Sequence, residues 1–282
     1  MKQNPFDRPA DPTPANPITI AHPTPLQWPH KGNFESLDMA SVRRGYEVYK
    51  QVCSACHSMK YRYYRHFSDP EFGFMTEEEA KAEAAEALID DLSDKGQPIK
   101  RPGKLIDRLP SPYPNKIAAE AANIGKYPPD FSTIMLARRP HGFAPRFNTN
   151  SNEDYIFSIL TGYMDAPAGV KVDDGQAYNP YFPGGVIAMP QQLFDDGIEY
   201  KDGTPATQSQ QAKDICSFLR WSAEPFHDKR KEWALKGLVL LPLVTVIILY
   251  MKKHTWSLIK SQKVKWHTVK GREPPSSQPK ST

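Results

Sequence analysis

The motif Cys53-Ser54-Ala55-Cys56-His57 restricts what this 282-residue chain can fold around, because it places two of its three cysteines beside a histidine. In the spacing C-x-x-C-H, the two sulfurs can form thioethers with the two vinyl groups on one edge of a haem, and the adjacent histidine can bind the iron. The motif therefore predicts covalent haem attachment through Cys53 and Cys56, with His57 as an axial ligand.

Two other chemistries use cysteine pairs at this spacing. A structural zinc site normally needs four ligands, but the remaining cysteine, Cys216, lies far along the chain without a histidine motif beside it. We expect Cys216 to be a buried packing residue instead. A thioredoxin-like redox pair is typical of a βαβ unit, which the surrounding sequence does not suggest.

Helical patterns predict a mostly α fold with long loops and few alternating strand patterns. The helix before the motif is expected to begin at Ser36 or Asp38, and it carries an apolar stripe that can pack against a haem face. This stripe consists of Val42, Tyr46, Tyr49 and Val52. The predicted helices cover 36–57, 76–94, 116–125, 152–163 and 204–225, with N-caps at Thr76, Asn152 and Thr204 or Thr207.

An uncharged run, 237–251, predicts a membrane anchor. The run is shorter than the ~20 residues of a typical spanning helix, but Lys236 can snorkel, and aromatic side chains nearby favour the interfaces. These aromatic residues are Trp233, Tyr250 and Trp256. The eight Lys and Arg residues after Met251 place the tail on the cytoplasm-like face by the positive-inside rule. A buried core helix is the alternative.

These features divide the chain into four parts. They are a proline-rich N-terminal arm (1–35), a c-type haem domain (36–228), a membrane anchor with its flanks (229–256) and a basic tail (257–282). The basic tail lacks the aromatic platform and fold signals of a nucleic-acid-binding segment, so no nucleic-acid partner is expected.

The second face of the iron needs a ligand if the site is to carry electrons rather than bind oxygen. A methionine thioether there closes the site and raises its potential. The candidates are Met75, Met135, Met164 and Met189, with His66 and His141 as rival histidine ligands. Met189 is favoured because it lies in the flexible, uncharged loop "PGGVIAMP"; Met164 is second, and Met135 reads as the core residue of a short helix.

Nine ordered stretches between about residues 28 and 265 resemble the cytochrome c1 family. They are "SVRRGYEVYKQVCSACHSM", "RPGKLID", "PYPN", "AANIGKYPPD", "IFSILTGY", "NPYFPGGVIAMP", "EYKDGTPAT", "AKDICSFLRWSAEP" and the anchor with "KHTWSLIKSQK". The resemblance implies a class I cytochrome c-like haem domain with long loop insertions and one C-terminal transmembrane helix.

The resemblance also implies roles for individual residues. Met189 would be the distal iron ligand opposite His57. Arg138 would meet a haem propionate, and Asn123 and Tyr155 would line the haem pocket. The segment 139–153 is roughly ten residues longer than the corresponding link of the family, which leaves Arg138 and Arg139 as alternatives for the propionate contact.

The family implies a function in quinol–cytochrome c reductase, respiratory complex III. This chain would be its electron-transfer subunit, without an independent catalytic site. It would hold one covalent haem c and pass single electrons from the Rieske iron–sulfur protein to soluble cytochrome c. Its other partners would be cytochrome b, further complex III subunits and membrane lipid. The alternative is a membrane-anchored c-type cytochrome of another oxidase or reductase.

The implied location is the mitochondrial inner membrane, with the haem domain in the intermembrane space and the C-terminal tail in the matrix. Because soluble cytochrome c is basic in most organisms, acidic residues are expected to steer its approach. The richest acidic segment comprises Glu77–Glu86 with Asp90, Asp91 and Asp94.

Overall fold

A computed structural model describes residues 21–32, 34–93, 95–137 and 152–262. The chain divides into two compact units, Met1–Lys231 and Glu232–Thr282. The helices are α1 (Met39–Gln51), α2 (Glu77–Glu86), α3 (Lys116–Ala122), α4 (Ile134–Ala137), α5 (Asn152–Thr161), α6 (Gln208–Ala223) and α7 (His227–Ser261). Two antiparallel pairs of strands complete the fold: β1 (Leu88–Leu92) with β2 (Pro98–Pro102), and β3 (Ala177–Tyr178) with β4 (Val186–Ile187).

Helices α1 and α6 cross closely at the centre of the first unit. Asp38 caps α1, since its carboxylate accepts hydrogen bonds from the amides of Ala40 and Ser41. At Gly45 a Cβ atom would overlap the backbone carbonyl group of Asp214 on α6. The aromatic core beside this crossing consists of Tyr46, Phe67, Phe74, Phe218 and Trp221. Gly45 therefore sets the separation of the two helices.

Buried acids of α5 hold the segment that precedes α1. The Trp28 indole donates to Asp154 Oδ1 at 2.6 Å, and His30 Nε2 lies 3.0 Å from Glu153 Oε1. Arg220 of α6 lies on the same Glu153 carboxylate, with its Nε at 3.2 Å. The described part of the proline-rich arm is therefore packed against α5, although its only regular structure is the short 3-10 helix Pro29–Lys31.

Two side chains near the start of α7 also bind this segment. The Lys231 ammonium donates to the backbone carbonyls of His30, Gly32 and Glu35, with Nζ···O distances of 2.5 to 2.8 Å. The Asp228 carboxylate accepts from the Leu37 amide at 3.1 Å. These contacts fix the chain just before α1 begins.

The helix predicted over 76–94 is correct only in its first half. Thr76 caps α2 as expected, but α2 ends at Glu86, and Leu88–Leu92 form a strand paired with Pro98–Pro102. The turn between the strands includes Gly96 at φ +73°, and Arg101 of β2 binds Asp91 of β1 at 2.5 Å. Pairing with a segment further along the chain has overridden the local helical preference of these residues.

Helix α7 is long and apolar enough to cross a membrane. Its 35 residues correspond to about 52 Å at the usual rise per residue, which exceeds the ~30 Å of a hydrocarbon core. None of its most apolar stretch is buried against other described residues. Helix α7 is therefore a candidate membrane span.

The helix crossing can be tested by adding one methyl group. Gly45→Ala should lower the free energy of unfolding by about 2–3 kcal/mol, because overpacking forces the two helices apart. The measurement is urea unfolding of the full chain in detergent, followed by tryptophan fluorescence. Gly237→Ala is the matched control, since no atom lies within 4 Å of the added Cβ there; equal unfolding midpoints for the two variants would contradict the crossing.

The Glu153 cluster predicts acid sensitivity. Burial alone would raise the pKa of Glu153, but the hydrogen bond from His30 and the charge of Arg220 outweigh it and lower the pKa to about 2. Stability from this group is thus fully present above its unfolded pKa of about 4.3 and is lost as the pH falls toward 2. The loss should be on the order of 3 kcal/mol.

Urea unfolding of the full chain between pH 2 and pH 7 measures this effect. Glu153→Gln should be less stable at neutral pH and should lose less stability on acidification than the unchanged chain. The exposed Glu78→Gln variant serves as the control. An acid slope in Glu153→Gln as steep as that of the unchanged chain would refute the prediction.

Candidate haem-attachment site

The C-x-x-C-H motif forms a tight turn at the end of α1. Helix α1 ends at Gln51, and Cys53–Ala55 form a 3-10 helix. The amides of Cys56 and His57 both donate to the Cys53 carbonyl, at 3.1 and 2.9 Å. The helix predicted over 36–57 is therefore too long at both ends. The bond from Cys56 winds the chain more tightly than an α-helix, and the shared acceptor holds both cysteines and the histidine in one turn.

The His57 ring is held in one orientation and one tautomer. Its Nδ1 lies 2.9 Å from the Pro129 carbonyl, and because a carbonyl can only accept, Nδ1 carries the hydrogen and Nε2 keeps its lone pair. The ring stacks on Phe131, with centroids 4.0 Å apart and planes inclined by 17°. The Tyr49 hydroxyl donates to the His57 carbonyl at 3.1 Å and ties the histidine to α1.

The protonation state of His57 suits metal binding. Its side chain is buried, and this burial lowers the pKa of the imidazole, although the hydrogen bond to Pro129 works in the opposite direction. A neutral imidazole with a free Nε2 and an Nδ1–H bonded to a carbonyl is the form that binds iron or zinc. This donor set fits the axial ligand that a haem requires.

The two thiols have different surroundings. Neither forms a disulfide. Burial, with a smaller contribution from Cys56, raises the pKa of Cys53 to about 12, so it lacks the depressed pKa of a thioredoxin-like thiol. Cys56 lines a cleft of about 200 Å³. Among the residues that the structure describes, no three His, Cys, Asp or Glu side chains converge to hold a metal ion by themselves.

A hydrogen-bonded chain joins Cys56 to Asn123. The Tyr113 hydroxyl donates to Cys56 Sγ at 3.8 Å, and Asn123 Nδ2 donates to Tyr113 Oη at 3.0 Å. Asn123 is the C-cap of α3. The structure thus brings Asn123 next to the attachment motif, whereas the half-buried Tyr155 lies on α5, in another segment.

Met189 lies in a loop that follows β4. Its side chain is half-buried, and its carbonyl accepts a hydrogen bond from the Tyr163 hydroxyl at 2.9 Å. Burial raises the pKa of Tyr163 well above its ordinary value, so this hydroxyl stays a donor. This hydrogen bond ties the loop to the residues that follow α5. The loop is therefore held in place at Met189, although its glycines predict a flexible segment.

The rival ligands are differently placed. Met135 is fully buried in the core, as predicted, and Met164 is 60% exposed. His66 Nδ1 accepts a hydrogen bond from the Tyr63 amide. Arg138, Arg139 and His141 lie outside the described residues, so the proposed propionate contact stays a prediction.

Four residues of the site were not predicted from the sequence. They are Tyr113, Pro129, Phe131 and Tyr163. Tyr113, Pro129 and Tyr163 lie within stretches that carry the family resemblance, "PYPN", "AANIGKYPPD" and "IFSILTGY", and Phe131 directly follows the second of them. Their contacts link segments far apart in the chain, and nothing in the local sequence indicates such pairs.

A neutral, oriented imidazole directly after two free thiols in one tight turn is typical of c-type cytochromes. Residues 28–259 match the Cytochrome C1 family, and the chain belongs to that family. The resemblance inferred from the sequence is therefore confirmed, together with the mostly helical fold and its single apolar C-terminal helix.

Several fungal and plant proteins are similar over most of their length. A Candida albicans protein named "Cytochrome b-c1 complex catalytic subunit, mitochondrial" is 50% identical over 251 residues, which cover 88% of this chain and 82% of the relative. A Saccharomyces cerevisiae protein named "Cytochrome c1, heme protein, mitochondrial" is 47% identical over 270 residues, 94% of this chain and 83% of the relative. An Arabidopsis thaliana protein named "Cytochrome c1 2, heme protein, mitochondrial" is 48% identical over 238 residues, which cover 84% of this chain and 73% of the relative.

Proposed function

We propose that this chain relays single electrons as the cytochrome c1 subunit of a mitochondrial cytochrome b-c1 complex, the quinol–cytochrome c reductase. The observation that carries the proposal is the His57 imidazole, which the Pro129 carbonyl and the Phe131 ring hold neutral and oriented directly after Cys53 and Cys56. Family membership and the printed names of the relatives support it.

The chain's own residues would hold one covalent haem c. Cys53 and Cys56 would form the thioethers, His57 Nε2 would bind the iron on one side, and the Met189 thioether would bind it on the other. The haem supplies an iron that changes by one electron without a proton or a broken bond. A methionine opposite a histidine raises the potential of such a centre.

Rigid support of both axial ligands is what electron transfer asks of the protein, because few groups then move when the iron changes charge. His57 is fixed by the Pro129 carbonyl, and the Met189 backbone is fixed by Tyr163. Both ties involve backbone carbonyls, which are less mobile than long charged side chains. Asn123 stands next to the attachment motif; Arg138 and Tyr155 complete the set proposed for the haem pocket.

The electron donor would be the Rieske iron–sulfur protein, and the acceptor would be soluble cytochrome c. Helix α7 would cross the inner membrane beside cytochrome b and the other subunits. The haem domain would then face the intermembrane space and the basic tail the matrix, as the excess of Lys and Arg after Met251 favours. A membrane-anchored cytochrome of another oxidase is the weaker candidate, because a similar protein is named as a subunit of a b-c1 complex.

The acidic residues that could steer a basic cytochrome c differ in whether ion pairs already neutralise their charge. Ion pairs already engage most acids of α2 and β1: Glu77 with Lys81, Glu79 with Arg43, Glu83 and Glu86 with Lys50, and Asp91 with Arg101. Asp94 lies outside the described residues. Six exposed acids in two later loops form no ion pair with the part of the chain that the structure describes: Asp165, Asp173, Asp174, Asp195, Asp196 and Glu199. The loops therefore offer more uncompensated negative charge than α2.

The haem proposal is tested on the detergent-solubilised chain with a reduced-minus-oxidised spectrum and a denaturing gel stained for haem peroxidase. We expect a c-type α-band and haem that stays bound on the gel. Met189→Leu should keep the covalent haem but lower the midpoint potential, since the thioether ligand is lost. Co-purification of a b-type cytochrome would assign the chain to the b-c1 complex.

Met164→Leu is the control for this experiment, because it replaces the second candidate and should leave the potential unchanged. A chain without haem would refute the relay. A normal potential in Met189→Leu, with a lowered one in Met164→Leu, would refute the assignment of the axial ligand alone.

The steering proposal is tested by stopped-flow association with a basic cytochrome c at several ionic strengths. Asp173→Asn with Asp174→Asn should slow association about threefold at low salt and weaken its salt dependence. Glu77→Gln with Glu78→Gln removes the same formal charge from α2 and should slow it less. A larger effect of the α2 pair would return the docking role to that helix.

A further inference from the structure

We propose that Tyr113 is a positioning residue for the Cys56 sulfur: its hydroxyl orients that sulfur for thioether formation and continues to donate to it afterwards. This inference rests on the proposed function, since it assumes that Cys56 bonds a haem vinyl group. In this proposal Asn123 acts on Cys56 only by orienting Tyr113. The two cysteine side chains are oriented in different ways.

The direction of the hydrogen bonds follows from Asn123. Its Nδ2 atom lies 2.7 Å from the Ala119 carbonyl and 3.0 Å from Tyr113 Oη. A backbone carbonyl can only accept, so the Asn123 atom facing it is the amide nitrogen, and the orientation of the amide is settled without ambiguity. One amide hydrogen goes to Ala119 and the other to Tyr113.

The Tyr113 hydroxyl therefore accepts from Asn123, and its single hydrogen is left for another acceptor. Cys56 Sγ lies 3.8 Å from the hydroxyl oxygen and is in position to receive it. The distance exceeds that of an O–H···O bond because sulfur is larger and a weaker acceptor. In the chain of hydrogen bonds from Asn123 through Tyr113 to Cys56, each donor therefore lies on the Asn123 side and the sulfur is the last acceptor.

The backbone around Tyr113 is stiff, which fixes the base of its side chain, and Asn123 holds the hydroxyl at the other end. Pro112 and Pro114 flank it, and each fixes its own φ near −65°. The Ser111 hydroxyl donates to the Tyr113 carbonyl at 3.0 Å. Asn115 next caps α3 by accepting from the Ala118 amide at 2.9 Å. A rigid donor selects one rotamer of a small side chain that otherwise has three.

Cys56 needs this help more than Cys53 does. Cys56 and Tyr113 both line the cleft of about 200 Å³, which leaves the Cys56 side chain room to rotate. Cys53 packs against the hydrophobic core, and packing restricts its rotamer directly. The structure thus orients one sulfur by core packing and the other by a hydrogen bond.

The reaction that this arrangement assists balances without an added oxidant or reductant. The Cys56 thiol adds across a vinyl double bond: a C–S bond forms at the carbon next to the ring, and the thiol proton goes to the terminal carbon. The thioether sulfur keeps its lone pairs, so the Tyr113 hydroxyl still has an acceptor in the product.

Tyr113→Phe removes only the hydroxyl oxygen and its hydrogen, and it is tested in the full chain purified with its complex. Alkylation of the denatured protein, followed by peptide mapping, measures the fraction of Cys56 left as free thiol. We expect that fraction to rise about twofold, the factor for a hydrogen bond at the weak end of the ordinary range, because sulfur is a weak acceptor. The pyridine haemochrome α-band should move to longer wavelength, because one vinyl group stays unsaturated.

Tyr127→Phe is the matched control. Tyr127 lines the same cleft, but its hydroxyl accepts from Lys60 at 2.9 Å, so the band and the Cys56 thiol fraction should not change. Asn123→Asp is a second variant with the opposite polarity: its carboxylate would accept the Tyr113 hydrogen and draw it away from sulfur. This variant should reproduce the effect of Tyr113→Phe while the tyrosine itself is kept.

Each outcome has one meaning. Two complete thioethers in both Tyr113→Phe and Asn123→Asp would overturn the inference and leave the proposed function intact. An equal loss in Tyr127→Phe would also overturn it, since a general disturbance of the cleft would then explain the data. Absence of covalent haem from the unchanged chain would refute the proposed function itself.

Discussion

The close crossing of α1 and α6 at Gly45 is the constraint on which the candidate site depends. Because this crossing excludes even a methyl group, the end of α1 has one position relative to the core. The motif turn begins two residues after α1 ends, so Cys53 and Cys56 inherit that position. The Tyr49 hydroxyl, from the last turns of α1, then binds the His57 carbonyl and carries the same constraint to the imidazole.

Buried charge on α5 fixes a second part of the first unit. Burying the Glu153 carboxylate has a large desolvation cost, and His30 and Arg220 together offset it. Such a group is stable only with its partners in place, which makes the residues around His30 part of the folded unit. The start of α7 binds the same segment: Lys231 donates to three of its backbone carbonyls, and Asp228 accepts from the Leu37 amide.

Local signals were predictable from the sequence, and contacts between distant segments were not. Asp38 and Thr76 cap helices as expected, because a cap needs only its own first turn. The strand at Leu88–Leu92 was missed because its partner lies beyond a turn, and alanine-rich sequence before it favours helix. The ligand candidates came from spacing and resemblance, whereas the carbonyl on His57 and the hydroxyl near Cys56 depend on loops returning from residues 113 and 129.

Four of the described neighbours of the site share one property: each is a group held by the backbone or by a rigid ring. A carbonyl of Pro129, the ring of Phe131 and the hydroxyls of Tyr113 and Tyr163 cannot swing far when the charge beside them changes. Flexible charged side chains also occur in this unit, and several of them are paired: Lys60, which lines the same cleft as Cys56, donates to the Tyr127 hydroxyl, and Lys50 pairs with Glu86 at the surface. A protein that passes electrons gains from such fixed groups, because dipoles already in place need little rearrangement at each transfer.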